Sequence, residues 1–294
     1  MRFLTAGALP QLTMRSPLIL IALALLLVPL CSASHVLVVS PVQQEITSQQ
    51  APEVRVVDFG VIGPGQKLEI QIQRPTGEKA TNIAYEQEAV WDKLFIIPEA
   101  LPVGWQSIDS LFYEEPLKAF VIASPEATDG IYEFSLKTLD ESEGVEPLIF
   151  RGSVRVSREL LDVSVEPATA HAGVGQPAVF LIKLKNKSSA SDAFRISALG
   201  LPTEWRYTRD AFVAHNSETT VPYEVAAGEA GEYSLKLKAV SLSSAAIQAE
   251  AQANLVARSS LLDDLKASTH GILLFPSVEQ VVYSLLGLLA NLVA

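Results

Sequence analysis

Gly231-Glu232-Tyr233-Ser234-Leu235-Lys236-Leu237-Lys238 alternates apolar and polar residues with a period of two. In an extended chain that period sends Tyr233, Leu235 and Leu237 to a core and their polar neighbours to water. A second copy, Gly130-Ile131-Tyr132-Glu133-Phe134-Ser135-Leu136, stands about one hundred residues earlier. Upstream of each lies a Leu-Pro-x-x-Trp motif, Leu101 to Trp105 and Leu201 to Trp205. Further upstream lie Gly63-Pro64-Gly65-Gln66 and Gly173-Val174-Gly175-Gln176, each opening another alternating run. Each unit closes on one more such run, Ser153 to Val156 and Ala251 to Val256. Short Val-, Ile-, Phe- and Tyr-rich runs split by Gly, Pro, Asn and Ser predict an all-β protein of two tandem antiparallel sandwiches. Trp105 and Trp205 are expected to plug the ends of the two cores, with Tyr132 and Tyr233 facing inward beside them.

The order Gly-x-Gly-Gln, alternating strand, Leu-Pro-x-x-Trp and Gly-x-Tyr resembles the NPCBM-associated (alpha-galactosidase-associated) family of Ig-like domains. The resemblance covers roughly residues 51–258 and is better in the second copy. There Lys185-Asn186-Lys187 stands where the family often has an Asn-rich turn, whereas the first copy has a longer stretch from Thr76 to Pro98. Such domains recur, often in tandem, in exported bacterial and archaeal proteins, often near membrane segments. The resemblance therefore implies Ig-like sandwiches used as spacers or accessory modules, in a protein of archaeal type. It implies no catalytic residue.

The 294 residues carry 22 Lys and Arg against 33 Asp and Glu, a net charge of −11. That balance argues against nucleic acid as the main partner, because neutralising phosphates needs a basic surface. The single cysteine, Cys31, excludes a disulfide framework and a cysteine-based zinc site. His35, His171, His215 and His270 stand apart, none at the spacing of a helical metal site. No nucleophile elbow, phosphate loop or dinucleotide fingerprint is present. Asp140, Glu141, Glu143 and Glu146 form the best acidic cluster, but without the order of a calcium loop. No cofactor, metal or enzymatic activity is expected. Asn186-Lys187-Ser188 is a glycosylation sequon if the chain is exported.

The two ends supply the address. Arg2 and Arg15, the apolar run Leu18 to Leu30 and the small residues Ser32-Ala33-Ser34 have the order of a secretory signal, with cleavage expected after Ser34. An uncleaved anchor is the alternative. The mature chain would carry 20 basic and 33 acidic residues, a net −13. At the other end, Leu261, Leu262 and Leu265 have helical spacing. Gly271 to Ala294 then holds a single charge, Glu279. A helix from Ser277 to Ala294 would be roughly 27 Å long, close to the ~30 Å of a hydrocarbon core. Ser277, Gln280, Ser284, Gly287 and Asn291 fall on one stripe of it, as a helix-pairing face in lipid would. An interfacial helix and a helix packed on protein are the alternatives.

These readings divide the chain into a signal peptide (1–34), a linker (35–50), two sandwiches (51–158 and 159–259) and a hydrophobic helical tail (260–294). The expected protein is exported and membrane-associated, its domains on the extracytoplasmic side. Its expected partners are membrane lipid and a membrane or cell-surface protein. The alternative is a glycan-binding accessory module for an enzyme, which needs exposed aromatic platforms.

Overall fold

The computed structural model describes residues 33–80, 88–202 and 207–259. The all-β expectation holds throughout them. The strands up to residue 156 are β1 (His35–Ser40), β2 (Gln44–Thr47), β3 (Val56–Ile62), β4 (Lys67–Ile72), β5 (Pro75–Lys79), β6 (Glu88–Val90), β7 (Lys93–Ile96), β8 (Gln106–Ile108), β9 (Leu117–Ile122), β10 (Gly130–Leu139) and β11 (Ile149–Val156). One sheet has the order β2-β1-β4-β9-β8 and another β3-β11-β10-β7. Their inward side chains share one core, with Val36, Leu68, Ile70, Val121, Phe59, Phe134 and Trp91 fully buried. Strand β3 runs parallel to β11, and the other pairings are antiparallel. Strands β5 and β6 pair antiparallel as a separate two-stranded sheet.

The later strands are β12 (Leu161–Glu166), β13 (Thr169–Gly173), β14 (Pro177–Asn186), β15 (Asp192–Leu199), β16 (Thr208–Val213), β17 (Glu218–Ala226), β18 (Gly231–Ser241) and β19 (Gln248–Arg258). The sheets β12-β14-β17 and β13-β19-β18-β15-β16 enclose a second core around Phe180, Phe194, Tyr223, Leu235 and Leu255. Strand β13 runs parallel to β19, repeating the relation of β3 to β11. In both units an early strand (β3 or β13) joins the sheet that holds the last two long strands, which pair antiparallel, β10 with β11 and β18 with β19. This is the arrangement of an immunoglobulin-type sandwich. Both units also carry its tyrosine corner: the Tyr132 hydroxyl donates to the Thr128 carbonyl at 3.0 Å, and that of Tyr233 to Glu229 at 3.0 Å.

The two cores meet at a polar joint. Val61, near the end of β3, donates its N–H to Ser189 Oγ (3.2 Å) and accepts from Ser189 N–H (2.7 Å). Gln66 Oε1 accepts from Ser188 Oγ at 2.6 Å, and its Nε2 donates to Asp192 Oδ2 at 2.7 Å. The same carboxylate oxygen accepts from Ser241 and Ser243 hydroxyls at 2.7 and 2.8 Å. The turn Gly63 to Gln66 lies so close to the second unit that a Cβ on Gly63 would stand 2.2 Å from Ile247 Cδ1. One on Gly65 would stand 2.8 Å from the Ser243 carbonyl oxygen.

Two sequence expectations are corrected. Residues 35–50 are not a linker: β1 and β2 form a hairpin that pairs with β4 and buries Val36, Val38 and Ile46. Asn186 is not an accessible sequon. It is 1% exposed, and its Nδ2 donates to the carbonyls of Ala190, Val213 and Ala214. A glycan on that nitrogen would break the turn that meets the first sandwich. Trp91, given no structural role in the sequence reading, is fully buried and donates Nε1 to the His35 carbonyl at 2.9 Å. Among the described residues no helix is long and apolar enough to cross a membrane. Residues 1–32 of the expected signal peptide, Trp205 and the tail with Ser277, Gln280, Ser284, Gly287 and Asn291 lie outside the described residues.

Candidate functional site

The same alternation that builds the first core decides what its sheet β3-β11-β10-β7 shows to solvent. On β10, Phe134, Leu136 and Thr138 point inward, leaving Ile131, Glu133, Ser135 and Lys137 outside. On β11, Phe150, Gly152, Val154 and Val156 point inward, leaving Ile149, Arg151, Ser153 and Arg155 outside. The register sets these out in rows across the sheet. Lys137 stands between Phe95 and Ile149, Ser135 opposite Arg151, Glu133 opposite Ser153, and Ile131 opposite Arg155. Ile149 is 48% exposed and Ile131 69%. On a chain of net charge −11, this face interleaves Lys93, Lys137, Arg151 and Arg155 with exposed apolar side chains.

Two hollows open on it. The larger, about 570 Å³, lies between Pro52, Glu53 and Arg55 on one side and Pro147, Ile149 and Arg151 on the other, over Ser135. Its walls are braced: Arg151 donates to the Glu53 carbonyl at 2.9 Å and pairs with Glu133 at 3.4 Å. Arg55 donates to the carbonyls of Gln50 (2.8 Å) and Ser48 (2.5 Å). The smaller, about 180 Å³, lies between Asp58, Ile131 and Arg155. The larger is in the range that accommodates a few buried side chains or a small ligand.

At the β7 edge an apolar loop extends the face. Leu111 and Tyr113 are exposed and Phe112 is 42% exposed. Lys93 Nζ lies 4.4 Å from the Phe95 ring centre and 4.5 Å from that of Phe112, within cation–π range. The loop is held from behind. Tyr113 N–H donates to the Asp92 carbonyl at 2.9 Å, while Asp92 pairs with Arg74 at 2.8 Å and accepts from Glu141 N–H at 3.0 Å. The Tyr113 hydroxyl donates to the Glu141 carboxylate, and that hydrogen bond holds the phenol above its ordinary value.

The acidic cluster is spent locally. Asp140 is buried and accepts from the backbone N–H groups of Ser142, Gly144 and Val145. Among the described residues no three His, Cys, Asp or Glu are grouped to hold a metal ion. Trp105 is 7% exposed and tilts against Tyr132 with ring centres 5.2 Å apart, and Tyr233 packs on the second core. The motif residues thus stand away from the outer face. The face itself was legible as the polar half of the alternation, but which strands carry it side by side depends on the sheet order.

No protein-family model matches the chain, and no curated protein sequence does. Several solved structures share its shape distantly. A chimeric titin Z1Z2 is 11% identical, with 78% of this chain and 100% of that one covered, at a TM-score of 0.36. The adhesin InvE of Yersinia pseudotuberculosis is 12% identical, with 68% and 57% covered, at 0.28. Red sea bream transglutaminase is 11% identical, with 69% of this chain covered, at 0.28. The chain spans 30% of that transglutaminase and 57% of the adhesin. At these values the likenesses bear on neither ligand nor activity.

Proposed function

We propose that the chain is an exported, non-catalytic surface protein that binds a protein partner through the outer face of β3-β11-β10-β7. The observation that carries this reading is that Lys93, Lys137, Arg151 and Arg155 outnumber Glu133 and Asp58 among exposed Ile131, Ile149 and Phe112, on an otherwise acidic molecule. Mixed basic and apolar faces favour partners with acidic and apolar surface, since complementary charge steers encounter and apolar burial supplies affinity. Export is supported by the charged, apolar and small-residue order before His35. Membrane association is supported by the composition of 271–294. The motif resemblance to NPCBM-associated domains fits a presenting or accessory role on an archaeal cell surface.

The test is affinity purification of the full chain in mild detergent, comparing the parent with a Lys137→Glu, Ile149→Asp variant. Both positions lie on the solvent side of the sheet, so the melting temperature should hold. Co-elution of the parent's partner should fall about tenfold or more, the loss of two central contacts. Equal recovery would remove the face from the reading. A carbonate wash that releases the unmodified chain would separately remove the membrane claim.

A glycan-binding accessory role is the second reading. Exposed Phe112 and Tyr113, with ring centres 5.7 Å apart, offer the aromatic platform that it needs. Phe112→Ala should then abolish a soluble-glycan titration shift while leaving protein capture unchanged.

A further inference from the structure

The outer face of β12-β14-β17 follows the same alternation as the basic face of the first sandwich, but its apolar part carries the opposite charge. On β14, Phe180, Ile182 and Leu184 point inward, leaving Val179, Leu181, Lys183 and Lys185 outside. The register sets Glu166, Leu181 and Pro222 in one row across the three strands, and Val179 beside Glu224 in the next outward row. Val179 is 48% exposed and Leu181 46%, with Glu166, Pro222 and Glu224 exposed around them. The lysines stand at the other end of the sheet. There Lys183 pairs with Glu218 at 2.8 Å and Lys187 with Asp162 at 2.9 Å, and Lys185 lies between Asp162 and Glu218. Arg209, at the β17 edge, donates to the Pro222 carbonyl at 2.6 Å. The half around Leu181 is therefore apolar and acidic.

On the first sandwich, the row of Lys137 and Ile149 and the row of Ile131 and Arg155 each set a cation beside an exposed isoleucine. On the rows between them, Glu133 pairs with Arg151 at 3.4 Å. Asp58 accepts from Gly60 N–H at 2.9 Å. One face thus offers apolar side chains with cations, the other apolar side chains with carboxylates. Opposite potentials around apolar contact are what protein recognition uses. Both faces are exposed in the single chain, so neither covers the other within one molecule.

We infer that the occupant of the basic face is a second copy of this chain, docked through the acidic half of its β12-β14-β17 face. The inference rests on the reading of the basic face as a binding surface and names its partner. The two faces are different surfaces on different sandwiches, so the contact is heterologous, and a copy bound through one face still offers the other. Assembly runs head to tail, closing as a ring or continuing as a chain according to the angle at the joint.

The experiment follows the full chain in mild detergent by sedimentation across a dilution series. One variant reverses the basic face, Lys137→Glu with Arg155→Glu. Another reverses the acidic face, Glu166→Lys with Glu224→Lys. All four side chains lie on the solvent side of their sheets, so both variants should melt like the parent. The parent's mass should grow with concentration and fall with added salt. Each variant alone should associate about tenfold or more weakly, because like charges then meet. A mixture of the two should recover the parent's association, since the two reversed faces suit one another and so do the two native ones. A parent that stays at single-chain mass, a mixture no heavier than its components, or a mass that neither reversal changes overturns the self-pairing. Carboxyl footprinting of the parent reads the same contact without substitution. Glu166 and Glu224 should become protected as concentration rises, while Glu250, on the other sheet of that sandwich, keeps its reactivity. Equal protection of all three, or of none, also overturns it. If self-pairing fails while Lys137→Glu, Ile149→Asp still loses co-elution of a different protein, the basic face remains a binding surface and only its occupant changes.

Discussion

Trp91 and Tyr223 show how single side chains tie distant strands. Trp91 fills the first core and bonds the carbonyl at the start of β1. Trp91→Ala removes a fully buried aromatic and orphans that carbonyl, so urea unfolding should show a loss of about 3–5 kcal/mol. Tyr223 is 1% exposed; its hydroxyl accepts from Ala198 N–H at 3.1 Å and donates to the Tyr207 carbonyl. Tyr223→Phe should cost about 1–2 kcal/mol at neutral pH for the two bonds. Burial raises the Tyr223 pKa above its ordinary 10.0. The folded state therefore holds the proton longer than the unfolded one, and the contribution is complete below the unfolded value. It is lost as pH rises through the folded one. The parent should lose stability on the alkaline side, and Tyr223→Phe should flatten that limb of a melting-temperature profile against pH.

At the scale of the element, β11 is the strand on which the first sandwich turns. It lies between β3 and β10, parallel to one and antiparallel to the other. Gly152 at its centre lets Phe59 and Phe134 stack across it, ring centres 5.8 Å apart and 10° from parallel. A Cβ there would stand 2.5 Å from Phe59 and 2.8 Å from Phe134. Gly152→Ala should therefore destabilise by about 1–3 kcal/mol, the range for overpacking, although alanine suits a strand better than glycine. Differential scanning calorimetry checks it, and a neutral result would mean that the stacked rings are free to shift. The hairpin of β1 and β2 belongs to the same scale. Without it β4 would present a bare edge, a site for unwanted pairing.

For the whole molecule the decisive feature is the joint. The buried Asp192 carboxylate receives Gln66 from the first sandwich and two serine hydroxyls from the second. Among the described residues no buried side-chain polar atom lacks a partner, so the joint is specific as well as closed. Ala190 packs in the first core and Val61 against the second. Asp192→Ala strands four donors, the Ala193 N–H among them, at about 1–3 kcal/mol or more. Thermal unfolding should separate into two transitions, and small-angle scattering should show a wider spread of distances between the sandwiches. A single transition with unchanged scattering would mean that the apolar contacts alone hold the angle. A fixed angle matters to the proposed role, because it sets where the face of the first sandwich stands relative to the second sandwich.

What is local in this fold is legible along the chain alone. A period of two assigns inward and outward residues on strands such as β10, β14 and β18. Gly-x-Gly-Gln marks a left-handed turn, and the hundred-residue spacing marks a repeated unit. Those signals rest on a few neighbouring residues and survive whatever surrounds them. Tertiary structure decided which strands lie side by side, and with them the basic and apolar face. It also decided that 35–50 is a hairpin, that Trp91 is core and that the Asn186 amide is consumed by three carbonyls. Gln66 and Asp192 meet across 126 residues. Pairings of that kind are energetically meaningful only once the strands have closed the distance and excluded water, and no pattern along the chain encodes them.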